Sequence, residues 1–272
     1  MIFKANKYKL NFSKIYVMGI LNITPDSFSD GGRYFDEDNA IERAIEIQEE
    51  GADIIDIGAQ STRPGFVKIS EKEELKRLIP VLKKIVKVIQ IPVSVDTFYP
   101  EVAKEAISCD VDIINDVTGF TNPEMIEAVS GSSCGMIVMH NSEKWNGIKS
   151  CNKDIKEFFL KQITKIEYCG IGHNRICLDP GIGFGKSFDE NLQIISNIDR
   201  FRVKNYPVLV GVSKKRFIGQ ILNDKNENRI IGSVAVNSVL INQNVNILRV
   251  HNVKETVQFL KIFNTIKKFE EK

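Results

Sequence analysis

The 272-residue sequence predicts an α/β fold, a single-domain (β/α)8 barrel with a short hairpin-like extension at its N-terminus. Three observations predict it. Eight short runs rich in Val and Ile recur along the chain, each followed by a stretch of helical period. The runs are apolar throughout rather than alternating, as strands of a parallel sheet covered on both faces must be. No Gly/Ser/Pro-rich linker, composition shift or internal repeat divides the chain, and barrels of this length commonly form one unit. A doubly wound sheet is the main competing architecture.

Residues 1–14 read as the extension, where the alternation of Phe3–Phe12 suggests a hairpin closing the bottom of the barrel; residues 15–272 form the barrel itself. Strands are expected at Ile15–Leu21, Ile54–Ile57, Ile91–Val95, Val111–Ile114, Met136–Met139, Arg175–Leu178, Pro207–Val212 and Asn246–Val250. Helices fill the gaps. Over 39–50, Ile41, Ala44, Ile45 and Gln48 share a face, and Gly51 supplies a stop. The next helix opens with a capping box at Ser70–Glu73 and carries Leu75, Leu78, Ile79, Leu82, Ile85, Val86 and Ile89 at helical spacing. Pro80 inside that pattern should kink or split it. Pro100 and Pro123 suit first helical positions. Further helices are expected over 154–169, 189–200, 226–243 and 253–268, with a short helical turn near Lys215.

Bulk properties narrow the function. A net charge of +2 gives no general attraction to nucleic acid, and basic and aromatic residues are not interleaved. The longest apolar runs, such as Met136–Met139, are far too short to span a bilayer. The N-terminal residues lack a signal-peptide pattern. Cys109, Cys134, Cys151, Cys169 and Cys177 have no metal-ligand spacing and fit reduced thiols, so a cytoplasmic location is expected.

The strand ends are the most informative positions. Seven of the eight runs lead directly into a polar residue: Asn22, Asp96, Asn115, His140, Asp179, Ser213 and His251. The second run holds Asp56 within it, with Ser61–Arg63 just beyond. In a barrel these positions converge on the C-terminal face, where active sites lie. One such residue alone would more often cap a helix or form a turn, as Asp179-Pro180-Gly181 or Asp96-Thr97 could. As a set, Asp96, Asn115 and Asp179 offer inward acceptors suited to a planar heterocycle bearing amino and ring N–H donors.

Basic groups share that face: Arg63, Lys215, and Arg249 beside His251. Arginine forks bind phosphate oxygens in pairs, and the loops after strands seven and eight of barrels are common phosphate sites. Lys214 and Arg216 read as solvated surface charges. Asp30–Gly32 and Gly181–Lys186 permit positive φ and close backbone approach, and neither matches a nucleotide-binding loop.

Taken in order, Met18–Gly32, Asp56–Gly65, Val95–Thr97, Ile114–Asp116, Met139-His140, Leu178–Lys186, Gly211–Gly219 and Arg249–His251 resemble the motifs of the dihydropteroate synthases, members of the pterin-binding TIM-barrel group. The match covers roughly residues 15–260, and the first motif together with Ser61-Thr-Arg-Pro-Gly65 is its most specific part. The resemblance implies condensation of 6-hydroxymethyl-7,8-dihydropterin diphosphate with p-aminobenzoate, giving dihydropteroate and diphosphate. It implies that the pterin sits among Asp96, Asn115, Met139, Asp179, Phe184, Lys215 and Arg249. It implies that p-aminobenzoate meets Phe28, Thr62, Arg63, Pro64, Phe184, Ser213 and Lys215. Diphosphate would be held by Asn22, Arg63, Arg249 and His251, with Mg²⁺ bridging it to Asn22. Asp30, Arg63, Asp96 and Lys215 are the expected catalytic groups, Asp30 stabilising a pterin methylene cation when its loop closes. Loops 22–36 and 60–70 are expected to close over the site and exclude water. A homodimer is implied, with helix 226–243 and its apolar Ile230–Leu240 stretch as the contact.

The chain departs from the family pattern at Ala59-Gln60, where many members carry Gly-Glu, at Lys214, where arginine is usual, and at Asn141 and the residues after it. None of these removes an assigned residue; they bear on the shape of the p-aminobenzoate mouth. Two other readings share part of the pattern. A pterin-dependent methyltransferase domain would use the acceptors but not the Ser-Thr-Arg-Pro-Gly loop, and a non-catalytic pterin-binding homologue would lack the diphosphate ligands.

Overall fold

The computed structural model describes residues 1–23, 33–60, 68–142, 151–223 and 229–270, the side chains of 33–36, 151–153 and 270 excepted. An antiparallel hairpin, β1 (Phe3–Ala5) and β2 (Tyr8–Leu10), precedes the barrel. The barrel strands are β3 (Tyr16–Asn22), β4 (Ile54–Gly58), β5 (Val93–Asp96), β6 (Ile113–Asp116), β7 (Gly135–Met139), β8 (Ile176–Asp179), β9 (Leu209–Gly211) and β10 (Ile247–Val250). Between and after them lie α1 (Arg33–Glu49), α2 (Glu71–Val88), α3 (Pro100–Ser108), α4 (Pro123–Ser130), α5 (Cys151–Tyr168), α6 (Phe188–Ser196), α7 (Arg216–Leu222), α8 (Ile230–Asn242) and α9 (Val253–Glu270).

Each barrel strand pairs in parallel with its neighbour in sequence, and β10 returns to pair with β3, Arg249 standing opposite Met18. A parallel bridge between Leu178 and Val208 joins β8 to the approach of β9. That bridge closes the eight-stranded sheet into a barrel. A doubly wound sheet would instead reverse strand order at its middle, so the competing architecture is excluded.

The period-two alternation of strands sorts the barrel interior into layers. Near the strand starts, Met18, Ile54, Ile113, Ile137, Cys177, Leu209 and Ile247 form one buried apolar cluster with Phe3, Ala5 and Leu10 of the hairpin. The hairpin thus plugs the bottom. Gly135 makes room for it, since a Cβ there would lie 2.6 Å from the Phe3 ring. Two residues further along the same strands come Asp56, Asn115, Met139, Asp179, Gly211 and Arg249. Polarity inside the barrel therefore begins one layer below its upper face. The outward residues, among them Ile55, Ile57, Val95, Ile114, Val138, Leu178, Val210 and Leu248, join the larger core beneath the helices.

Five of the eight strands end one or two residues later than expected, and four of them, β3, β5, β6 and β8, so include the polar residue that was expected to follow. The capping residue at Ser70 accepts from the Glu73 amide, and Pro100 and Pro123 open α3 and α4. Two expectations need correction. Helix α2 runs unbroken through Pro80, because Pro80 is exposed and the carbonyl it leaves without a donor can face water. Helix α1 begins at Arg33, within the stretch expected to be loop.

Candidate active site

Arg249, on β10, points into the upper barrel between two carboxylates. Its Nε donates to Asp56 Oδ2 at 2.6 Å and its Nη2 to Asp96 Oδ2 at 2.8 Å. Burial works against the guanidinium charge, but Asp56 and Asp96 outweigh it and raise its pKa. Asn115 Nδ2 donates to the same Asp56 oxygen at 3.1 Å. Four strands are thereby tied at one level, and every side chain in the network is buried or nearly so.

This network leaves acceptors open. Asp56 Oδ1 and Asp96 Oδ1 are buried and have no hydrogen-bond partner among the described residues. An unpaired buried carboxylate oxygen is costly and calls for a donor, from water or from a ligand. Burial pushes the Asp96 carboxyl up to about 8 against the pull of Arg249. Asp179, on β8, accepts from the Gly181 amide at 2.7 Å; burial raises its pKa, opposed by Lys215.

Lys215 caps α7 at its N-terminus and reaches back across the barrel mouth. Its ammonium donates to the Ile182 carbonyl and lies 4.7 Å from the centre of the Phe184 ring. Burial lowers its pKa to about 7, while Asp179 supports its charge. Gly183, at φ +84°, lets the lysine stem pass, a Cβ there lying 3.2 Å from Lys215 Cδ. Beside it, Ser213 Oγ donates to Asn252 Oδ1 at 3.0 Å and accepts from the His251 amide at 3.2 Å, with His251 Nδ1 at the same distance. At the opposite rim, Asn22 and Asp96 flank Gly58, with Asn22 Oδ1 and Asp96 Cβ 3.9 and 3.7 Å from where its Cβ would be. The Asn22 carboxamide has no hydrogen bond to any described residue.

The model of the pterin binding enzyme family matches residues 18–251, the stretch that carries these strand-end residues. A dihydropteroate synthase of Escherichia coli (strain K12) is 38% identical over 264 residues, covering 95% of this chain and 94% of its own. The chain belongs to the dihydropteroate synthase family. A solved structure of the Xanthomonas albilineans dihydropteroate synthase with 4-aminobenzoic acid matches with a TM-score of 0.90 at 36% identity, over 95% of each chain. That of the Burkholderia cenocepacia dihydropteroate synthase complexed with 7,8-dihydropteroate also gives 0.90, at 31% identity over 99% of this chain and 98% of the other. The family's activity is a transfer reaction of folate synthesis on small-molecule substrates, and this chain is a transferase of that kind. No helix among the described residues is long and apolar enough to cross a membrane.

Of the residues expected at the synthase site, Asn22, Asp96, Asn115, Met139, Asp179, Phe184, Ser213, Lys215, Arg249 and His251 are described and lie at the strand ends or on the loops that follow them. Phe28, Asp30, Thr62, Arg63 and Pro64 lie outside the described residues. His140 does not join the site by its side chain. The ring packs edge-on against Phe158 of α5 with centroids 5.1 Å apart, both nitrogens without a hydrogen bond among the described residues, and burial lowers its pKa to about 3. Successive residues of a strand face opposite ways, so Met139 facing inward turns His140 outward. Asp116, next to Asn115, likewise faces outward and holds a turn, accepting from the Thr118 and Phe120 amides at 2.7 Å each.

Asp56 is the site residue that the list of expected ligands missed. It holds both Arg249 and Asn115, yet it sits mid-strand rather than at a strand end. A charged residue inside an otherwise apolar run was the available signal.

Proposed function

We propose that this synthase condenses 6-hydroxymethyl-7,8-dihydropterin diphosphate with p-aminobenzoate to give 7,8-dihydropteroate and diphosphate, using the barrel-mouth residues as follows. The pterin's amino and ring N–H groups donate to Asp96 and Asp179, with Asn115 alongside. The two buried unpaired oxygens, Asp96 Oδ1 and Asp56 Oδ1, are the observation that carries this reading, since they are acceptors waiting for donors. Met139 and Phe184 flank the ring. Lys215 serves both substrates from the rim, offering an ammonium to the pterin and to the p-aminobenzoate carboxylate, near Ser213. Arg249 uses Nε and Nη2 on the two aspartates, which leaves Nη1 for a diphosphate oxygen; His251 and Asn22 complete that side.

The C–O bond at the pterin methylene breaks and its electron pair leaves with diphosphate. The lone pair of the aniline nitrogen then forms the C–N bond, and the nitrogen gives up one proton. The attacking amine is already neutral, so no strong general base is needed, and no Ser/His/Asp or Cys/His arrangement is expected. Asp56, Asp96 and Asp179 stand beside Arg249 and Lys215, which support their ionised forms, and in those forms they favour the cation that forms as the diphosphate departs. The free carboxamide of Asn22 suits Mg²⁺, a hard ion that binds through few protein ligands and phosphate oxygens; bound there, it would neutralise the leaving diphosphate.

The reading includes a homodimer through α8, whose Ile231 is 85% exposed and Val239 44% exposed, and a cytoplasmic setting consistent with the free thiols of Cys109, Cys134, Cys169 and Cys177. Mixing the protein with the pterin diphosphate, Mg²⁺ and p-aminobenzoate tests the activity: diphosphate release that depends on p-aminobenzoate is expected. Release without that dependence, or none, would reject it. Sedimentation velocity reads the dimer directly.

A further inference from the structure

The loop from Gly181 to Lys186 carries Phe184 between the two substrate positions, yet its composition leaves it without rigidity of its own. Gly181, Gly183 and Gly185 all sit at positive φ, 66°, 84° and 63°, in a region where glycine is favoured but not held. Three backbone carbonyls nevertheless converge on one point beside it. The Lys186 ammonium donates to the Gly181 carbonyl at 2.8 Å, to Phe184 at 3.1 Å and to His140 at 3.2 Å. Carbonyl dipoles aimed at one another repel, so this convergence needs a cation at its centre, and an ammonium has three donors to match. The carbonyls come from two loops, those following β7 and β8. The Ser142 amide donates to the same Phe184 carbonyl at 3.4 Å, and Gly181 presses so close to His140 that a Cβ would overlap the carbonyl oxygen.

We propose that Lys186 is a positioning residue of the synthase: its ammonium staples the β8–α6 loop to the loop after β7 and thereby fixes the Phe184 ring for p-aminobenzoate and pterin. The lysine touches neither substrate; it acts through the backbone on either side of Phe184. Its charge also favours the ionised form of Asp179. This inference rests on the reading of Phe184 as a substrate contact.

A double-mutant cycle on the full chain tests it, with Phe184→Ala, Lys186→Met and the pair, plus Lys186→Arg, each measured at a temperature where all are folded. Lys186→Met keeps the side chain's length and loses its donors. It is expected to raise KM for p-aminobenzoate and lower kcat/KM by up to ~100-fold, the loss a small misplacement of a contact residue can cause. Lys186→Arg, which keeps charge and donors, should recover most of that. In the cycle the pair should be little worse than Phe184→Ala alone, because both changes remove the same positioned ring. A Lys186→Met protein with a lower Tm and unchanged KM would overturn the inference, as would losses that multiply in the pair. If Phe184→Ala alone leaves both constants unchanged, the reading of Phe184 itself fails, and the inference falls with it.

Discussion

Arg249 is shared by two buried carboxylates, and that one fact sets the electrostatics of the barrel mouth. With its Nε and Nη2 committed to Asp56 and Asp96, the guanidinium balances part of a charge that would otherwise make two buried aspartates prohibitive. The second cation, Lys215, is less secure. Burial lowers its pKa to about 7, so in the free enzyme it loses its proton as pH rises through that value. An ammonium attracts the p-aminobenzoate carboxylate and a neutral amine does not. The kcat/KM for p-aminobenzoate is therefore expected to fall above about pH 7, approaching tenfold per unit. Lys215→Arg should remove that limb, because guanidinium does not titrate there; a pH–rate profile unchanged by the substitution would reject Lys215 as its source.

At the scale of elements, two junctions set where the site residues stand. At the first, α2 carries a fully buried carboxylate, Glu74, which accepts a hydrogen bond from Gln60, just past the end of β4. Burial raises its pKa to about 7. A raised carboxyl binds a proton in the folded chain that the unfolded chain releases. Its contribution to stability is complete below the ordinary glutamate value of 4.5 and is lost as pH rises through about 7. Glu74→Gln, neutral at every pH, should flatten that slope by up to ~1.4 kcal/mol per pH unit, read from urea midpoints across the window. A Glu at position 60 would set two carboxyls together here; Gln60 supplies a donor instead. The second junction is the glycine loop after β8. Gly181→Ala must both hold φ near +66° and displace the His140 carbonyl. A loss of ~2 kcal/mol or more is expected, with a raised KM for p-aminobenzoate. Wild-type values for both would mean that the loop relaxes freely.

For the whole molecule, the barrel separates stability from chemistry along its axis. The hairpin plug and the lower apolar layer support the fold, and the polar layer above them forms the candidate site. Phe3→Ala should cost ~3–5 kcal/mol of unfolding free energy in a urea titration. At 25 °C the substrate constants should hardly change, because Phe3 packs among the strand starts, away from the face where Asp96 and Arg249 stand. Altered KM values in a folded Phe3→Ala protein would show that the two ends are coupled.

The eight strands and their order around the barrel were legible because parallel buried strands must be continuously apolar and each is followed by its own helix. Asp96, Asn115, Asp179 and Arg249 were legible too, since a polar residue where an apolar run ends is a departure from pattern. What a run of letters does not carry is the facing of each side chain and the partner across the barrel. Met139 and His140 are adjacent and equally promising in sequence, yet the two-residue period sends one to the site and the other against Phe158. Asp56 gains its importance only because β10 closes on β3 and swings Arg249 over to it. The sequence by itself determined the architecture and the family, through local periodicity and motif order. The pairing of Arg249 with two aspartates and the stapled loop of Lys186 were decided by tertiary structure, because each joins residues that only barrel closure brings within hydrogen-bond reach.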